Sequence, residues 1–207
     1  IMDAGFTSSL IQKEEIKDKD LSTVFYCNLL LGVVLTALLW LLAPWIAAFY
    51  KEPEIVTILQ LLSLSLLIRS FAIVQHALLR RKMQFRQIFK STLPATLLGG
   101  LVGIVMALQG YGVWSLIAQT LTVTLGNTII LWMMSSWRPQ WTFSKQSLYR
   151  LLPFGSRMAA AAIINQVFEN LYVLIIGRIM SPIEVAFYIR AKGFQQLPIN
   201  NLTSILS

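Results

Sequence analysis

The chain has 207 residues, 56% of them hydrophobic and 13% charged, with a formal net charge of +8 and a mean hydropathy of +0.67. Soluble domains carry about 25% charged residues, so this composition excludes an ordinary soluble domain and points to lipid as the solvent. The basic surplus does not point to nucleic acid, because Lys and Arg fall between apolar runs; a single cysteine (Cys27) and a single histidine (His76) exclude an intrachain disulfide and a Cys- or multi-His-based metal site.

A membrane-spanning helix needs about 20 predominantly apolar residues. Residues 1–12 read as the tail of an earlier span, so the sequence is expected to be a piece of a longer membrane protein. Residues 24–50 contain no charge. Residues 55–79 form a second span, interrupted by Arg69 and His76. Residues 92–109 and 113–136 form the third and fourth, and residues 154–176 a fifth that carries Arg157 and Glu169. A sixth starts near Phe187. The expected fold class is all-α: a polytopic transmembrane helical bundle. Such runs are too long for outer-membrane strands, which alternate over about ten residues. Pro44 and Pro94 fall within or near spans, where they can kink a helix. Gly99 and Gly103 have the spacing that lets two membrane helices approach closely.

The loops alternate between basic-rich and basic-poor. The first carries Lys13, Lys17 and Lys19; the second, "KEPE", only Lys51; the third Arg80, Arg81, Lys82, Arg86 and Lys90; the fourth, "GYG", none; the fifth Arg138, Lys145 and Arg150. The positive-inside rule then puts the first, third and fifth loops in the cytoplasm, with the third also suited to anionic lipid. The fifth, "WRPQWTFSKQSLYRLLP", is long. Trp137 and Trp141 suit the membrane interface, and Ser144 can cap a short amphipathic helix with Leu148, Leu151 and Leu152 on one side. It divides the chain into 1–136, part of one transmembrane lobe; 137–153, a cytoplasmic linker; and 154–207, the start of a second lobe.

No catalytic constellation is present: there is no Gly-rich phosphate loop, no paired carboxylates in a polar loop and no nucleophile with a nearby histidine. The chain reads as a non-enzyme with no cofactor. What remains is a set of polar residues inside spans, which are functional candidates by default. Arg69 lies eleven residues before Arg80, about 16 Å along a helix and close to the middle of a hydrocarbon core about 30 Å thick. There a charge costs about 2.5–3.5 kcal/mol on an insertion scale, so Arg69 needs protein or water around it. Asp3, ten residues before Lys13, falls at a similar depth if its segment is helical and is a candidate ion-pair partner. In the fifth span Met158, Ala161, Asn165, Glu169 and Tyr172 follow steps of three and four, giving one small and polar face. Asn170 lies beside that face and Arg157 at its cytoplasmic end. Glu169 can take a coupling ion, H+ or Na+, since burial raises a carboxyl pKa. Arg190 and Lys192 can meet an anionic substrate, or snorkel to the interface.

Six stretches carry a family likeness: "GFTSSLIQKEEIKDKDLSTVFYCNLLLG", "LAPWIAAFYKEPEI", "LLRRKMQF", "GYGVWSLIAQ", "SSWRPQWTFS" and "FGSRMAAAAIINQVFENLYVLIIGRIMSPIEVAFYIRA". Together and in this order they resemble the polysaccharide-exporting flippases of the multidrug/oligosaccharidyl-lipid/polysaccharide exporter superfamily, nearest to the colanic-acid and lipopolysaccharide exporter branch. The resemblance implies a full-length protein of a dozen or more helices in two similar lobes, with spans one to four here as helices three to six of the first lobe. It implies movement of an undecaprenyl-diphosphate-linked oligosaccharide to the outer leaflet of the bacterial inner membrane by alternating access. The implied partners are membrane lipids, the lipid-linked oligosaccharide, a coupling H+ or Na+, and polysaccharide polymerase or assembly proteins. The helices that open each lobe line the cavity in relatives, which places Arg157, Asn165, Glu169, Asn170, Arg190 and Lys192 nearest the substrate path. The same register puts Arg69 away from that path and favours its pairing with Asp3. The alternatives are a cation-coupled multidrug exporter of the same superfamily and a non-transporting membrane scaffold of a polysaccharide assembly complex.

Overall fold

A computed structural model describes residues 18–142, together with 157, 160–168, 170–171, 175–176 and 184–195. The chain divides into two compact units, residues 1–162 and 163–207. In the first unit four helices follow one another: α1 (Asp18–Tyr50), α2 (Glu54–Arg81), α3 (Phe85–Leu108) and α4 (Val113–Met134). Among the described residues of the second unit, 163–168 and 184–195 are helical. No strand occurs among the described residues. All four helices of the first unit are long and apolar enough to cross a membrane. The chain is a multi-pass membrane protein with an all-α transmembrane fold.

Two of the helices start before their apolar segments do. α1 starts at Asp18 rather than residue 24, with Asp18 and Asp20 in its first turn, where carboxylates complement the helix dipole. α3 starts at Phe85 rather than residue 92 and carries Arg86 and Lys90. Hydropathy detects the part of a helix that lies in hydrocarbon; the backbone stays helical into the polar interface because its hydrogen bonds are internal to the segment. Pro44 and Pro94 both sit inside continuous helices. The turn between α3 and α4 uses Gly110 at φ 84° and Gly112 at φ 54°, a backbone conformation that a side chain disfavours.

Order along the chain is not order in space. α1 packs on α2, α2 on α4, and α4 on α3, whereas the consecutive helices α2 and α3 touch only slightly. The α1–α2 contact is tied by polar side chains. Thr36 Oγ1 donates to the Ser63 carbonyl at 3.1 Å, and Trp40 Nε1 donates to Ser63 Oγ at 2.8 Å. The α3–α4 contact is made by small residues. The buried positions of α3 are Ser91, Ala95, Gly99 and Gly103, a strict four-residue repeat down one face. A Cβ added at Gly99 would fall 3.0 Å from the Gln119 carbonyl oxygen, and one added at Gly103 would fall 3.1 Å from Gln119 Cβ. The sequence spacing of Gly99 and Gly103 thus corresponds to real backbone approach.

An aromatic core closes the end of this unit where α1 begins and α4 ends. Leu21, Val24 and Phe25 of α1 pack with Ile73, Val74 and Ala77 of α2, flanked by Trp132 and Trp137. The Phe25 ring meets Phe71, Trp132 and Trp137 edge-on, with centroids 6.1–6.3 Å apart. The chain after α4 therefore does not leave the bundle at once. The Gln140 N–H donates to Ser22 Oγ at 3.1 Å, the exposed Trp141 leans on Tyr26, and Arg138 stacks over Trp132 while donating to its carbonyl at 2.9 Å. The amphipathic helix expected around Ser144 lies outside the described residues.

Candidate functional site

α2 carries Ser65, Arg69, His76 and Arg80, at steps of four, seven and four. That spacing puts them on one stripe of an α-helix. The stripe faces α4, which presents Gln119, Thr120, Thr124, Asn127 and Thr128, with Thr120, Thr124 and Asn127 at steps of four and three. Two adjoining cavities fill the space between the helices. One, of about 170 Å³, is lined by Arg69, His76, Arg80, Thr124, Asn127 and Thr128, among others. The second, of about 380 Å³, is lined by Ser65, Arg69, Leu116, Gln119, Thr120, Val123 and Thr124. Arg69, Val123 and Thr124 border both, so the two form one groove with Arg69 at the junction.

The groove is anchored by hydrogen bonds between its walls. Asn127 Nδ2 lies 3.2 Å from His76 Nε2; in this orientation the amide donates and the ring nitrogen accepts. Thr128 Oγ1 donates to the Ile68 carbonyl at 3.4 Å and Trp132 Nε1 to the Phe71 carbonyl at 3.0 Å. The Thr120 and Thr124 hydroxyls donate back to carbonyls four residues earlier, Leu116 and Thr120, which uses the one proton each has to give and leaves the oxygens as acceptors. Arg69 is exposed and takes part in no hydrogen bond or ion pair among the described residues. Among the described residues no carboxylate lines either cavity. Two arginines with no acid between them give the groove a positive potential, strengthened by the low dielectric of its surroundings.

The residues singled out from sequence fall in different places. Asp3 and Glu169 lie outside the described residues, so the expected Asp3–Arg69 pair and the role of Glu169 rest on the sequence alone. Arg157 is helical and exposed in the first unit. Asn165, Asn170, Arg190 and Lys192 belong to the second unit, with Asn165 and Arg190 exposed and Asn170 and Lys192 half-buried. The Asn170 side chain donates to the Gln166 carbonyl at 2.8 Å, within its own helix. Arg80, read from sequence as an orientation signal, also lines the groove. The polar face of α4 was not singled out from sequence, although the spacing of Gln119, Thr120, Thr124, Asn127 and Thr128 carries the same signal as the fifth span.

The whole chain, residues 1–207, matches the family described as "Polysaccharide biosynthesis protein". It is similar to the teichuronic acid biosynthesis protein TuaB of Bacillus subtilis, with 24% identity over 100% of the chain and 43% of the relative. It is similar to the succinoglycan biosynthesis transport protein ExoT of Rhizobium meliloti, with 27% identity over 94% of the chain and 40% of the relative. The lipopolysaccharide biosynthesis protein WzxC of Escherichia coli is 27% identical over 100% of the chain and 42% of its own length. The chain thus spans about two fifths of the length of these curated relatives. No solved structure matches.

Proposed function

This chain belongs to the polysaccharide biosynthesis protein family, and from that premise we propose that the full-length protein is a flippase of the bacterial inner membrane. It moves an undecaprenyl-diphosphate-linked oligosaccharide from the cytoplasmic to the outer leaflet, for exopolysaccharide, capsule or O-antigen biosynthesis, and so acts as a transporter rather than an enzyme. The observation that carries the reading is a cationic, hydroxyl-rich groove built into an otherwise apolar bundle.

The physical problem is the headgroup. Moving one small ion from water to an apolar medium costs on the order of 20 kcal/mol in the Born limit, and a diphosphate with attached sugars adds many hydrogen-bonding groups. A carrier lowers this cost by replacing water with fixed cations and donors along the path, while the prenyl chain stays in lipid. Alternating access, with two lobes rocking about a central site, exposes that path to one side at a time. Arg157, Asn165, Asn170, Arg190 and Lys192 are the second-half residues we assign to the substrate path, with Glu169 binding the coupling H+ or Na+. A relative carries the words "biosynthesis transport protein" in its name, which supports transport over a purely structural role.

The test is a leaflet-resolved assay. Full-length protein is reconstituted in vesicles with a fluorescent lipid-linked oligosaccharide, and the fraction accessible to a membrane-impermeant quencher is followed over time. The reading requires protein-dependent transfer that Glu169→Gln slows strongly. Transfer at the protein-free rate sinks it. Export of cationic dyes without oligosaccharide transfer would assign the protein to drug export instead.

A further inference from the structure

We propose that the α2–α4 groove is a phosphate ladder: Arg80 at the cytoplasmic surface captures the phosphate headgroup of a lipid, and Arg69 receives it near the middle of the membrane. The ligand chemistry is a phosphate or diphosphate ester on a long apolar chain. The inference deepens the flippase reading and rests on it only for the identity of that lipid.

Three observations carry it. First, the charged groups of the groove are cations: Arg69 and Arg80 line it beside His76, Gln119, Asn127 and three threonines, and no carboxylate does among the described residues. A guanidinium offers a planar fork of N–H donors that matches two phosphate oxygens at once. Second, the guanidinium-bearing residue placed deepest, Arg69, is engaged by no described residue and borders both cavities. Third, the groove runs along two membrane-spanning helices and has an apolar margin: Leu116, which lines it, is 61% exposed. A free phosphate has no use for that margin, whereas a lipid tail does.

The distances set the mode of action. Arg69 and Arg80 are eleven residues apart on a continuous helix, about 16 Å along its axis. Both line the smaller cavity, so the groove offers a headgroup two cationic positions along its length. A headgroup entering at Arg80 is passed on to Arg69. Arg80 stands beside Arg81 and Lys82, where local positive charge concentrates anionic headgroups; Asn127, whose amide gives one N–H to His76 and has a second, is the donor in the interval to Arg69. The three basic residues after α2 are then an orientation signal and the mouth of the ladder.

The test uses full-length protein purified in detergent and three probes: undecaprenyl diphosphate, phosphatidylglycerol and uncharged undecaprenol. Retained lipid is counted by native mass spectrometry, and thermal stability is recorded for each variant. Wild type is expected to retain undecaprenyl diphosphate in preference to undecaprenol. Arg69→Gln is expected to weaken that retention by about tenfold, and Arg69→Lys by less, since charge remains but the fork is lost. Lys90→Gln, basic but outside the groove, should match wild type. Loss confined to undecaprenyl diphosphate identifies the carrier lipid as the ligand; equal loss of phosphatidylglycerol identifies ordinary anionic phospholipid. Wild-type retention of both by Arg69→Gln overturns the ladder. So does unchanged lipid binding together with a stability loss in Arg69→Asp that Asp3→Arg restores, because Arg69 is then a structural partner of Asp3. Running the leaflet assay on the same proteins separates the two proposals. Transfer by wild type with Arg69-independent binding sinks the ladder alone, and Arg69-dependent binding without transfer sinks the flippase reading alone.

Discussion

α4 makes two contacts of opposite character. Towards α3 it meets a stripe of Ser91, Ala95, Gly99 and Gly103, so close that a methyl group has no room at Gly99. Towards α2 it leaves a groove walled by Arg69, His76, Thr124 and Asn127. Gln119 takes part in both, meeting Gly103 on one side and lining the groove on the other. In lipid there is no hydrophobic drive to bring helices together, so close van der Waals packing and interhelical hydrogen bonds do the work. The α3–α4 contact uses the first and the α2–α4 contact the second. A helix clamped firmly on one face can hold a polar, incompletely filled groove on the other, which is what a binding path inside a membrane protein requires.

This contrast can be broken from its tight side first. Gly99→Ala should destabilise the full-length protein by about 1–3 kcal/mol, the range for overpacking a filled contact, and Gly100→Ala should leave stability within about 0.5 kcal/mol, since a Cβ there meets nothing. Thermal unfolding of the two variants in detergent checks the pair; equal effects would remove the distinction. Next comes the tie across the groove. Asn127→Ala removes the contact to His76 and should cost about 1 kcal/mol, within the range of membrane interhelical bonds. Away from α4, Thr36→Val removes the bond to the Ser63 carbonyl and should cost about 0.6 kcal/mol. The smallest effect belongs to the groove wall itself. Thr124→Val keeps the shape of a residue whose hydroxyl bonds only its own helix, so its stability cost should stay below about 0.5 kcal/mol. A Thr124→Val cost equal to that of Gly99→Ala would show that the groove is a packed contact rather than an open path.

Much of the fold was legible in the sequence. The four spans were placed by hydropathy, with α2 and α4 within two residues of their observed ends. α1 and α3 start six and seven residues before their apolar segments, because Asp18, Asp20, Arg86 and Lys90 lower hydropathy without ending a helix. Gly99 and Gly103 carried a packing signal that the structure joins to Gln119 and Val123. Arg69 was recognised by its depth alone. Its surroundings were not: the polar stripe of α4 lies about fifty residues further along the chain, and nothing local in either helix says that they face each other.

By itself the sequence determined that this chain crosses the membrane repeatedly and to which family it belongs, and its loop bias sets an expected orientation. Each of these is a local or cumulative property: apolar length against bilayer thickness, the loop bias of Lys and Arg, and likeness spread over the whole chain. The lateral order α1, α2, α4, α3 was decided only in the tertiary structure. Lipid solvates every helix face about equally well, so hydropathy does not choose neighbours; the fit of Gln119 and Val123 against Gly99 and Gly103, and the bonds of Asn127, Thr128 and Trp132 to α2, do. That order turns Arg69, a lone charge in an apolar run, into one wall of a groove.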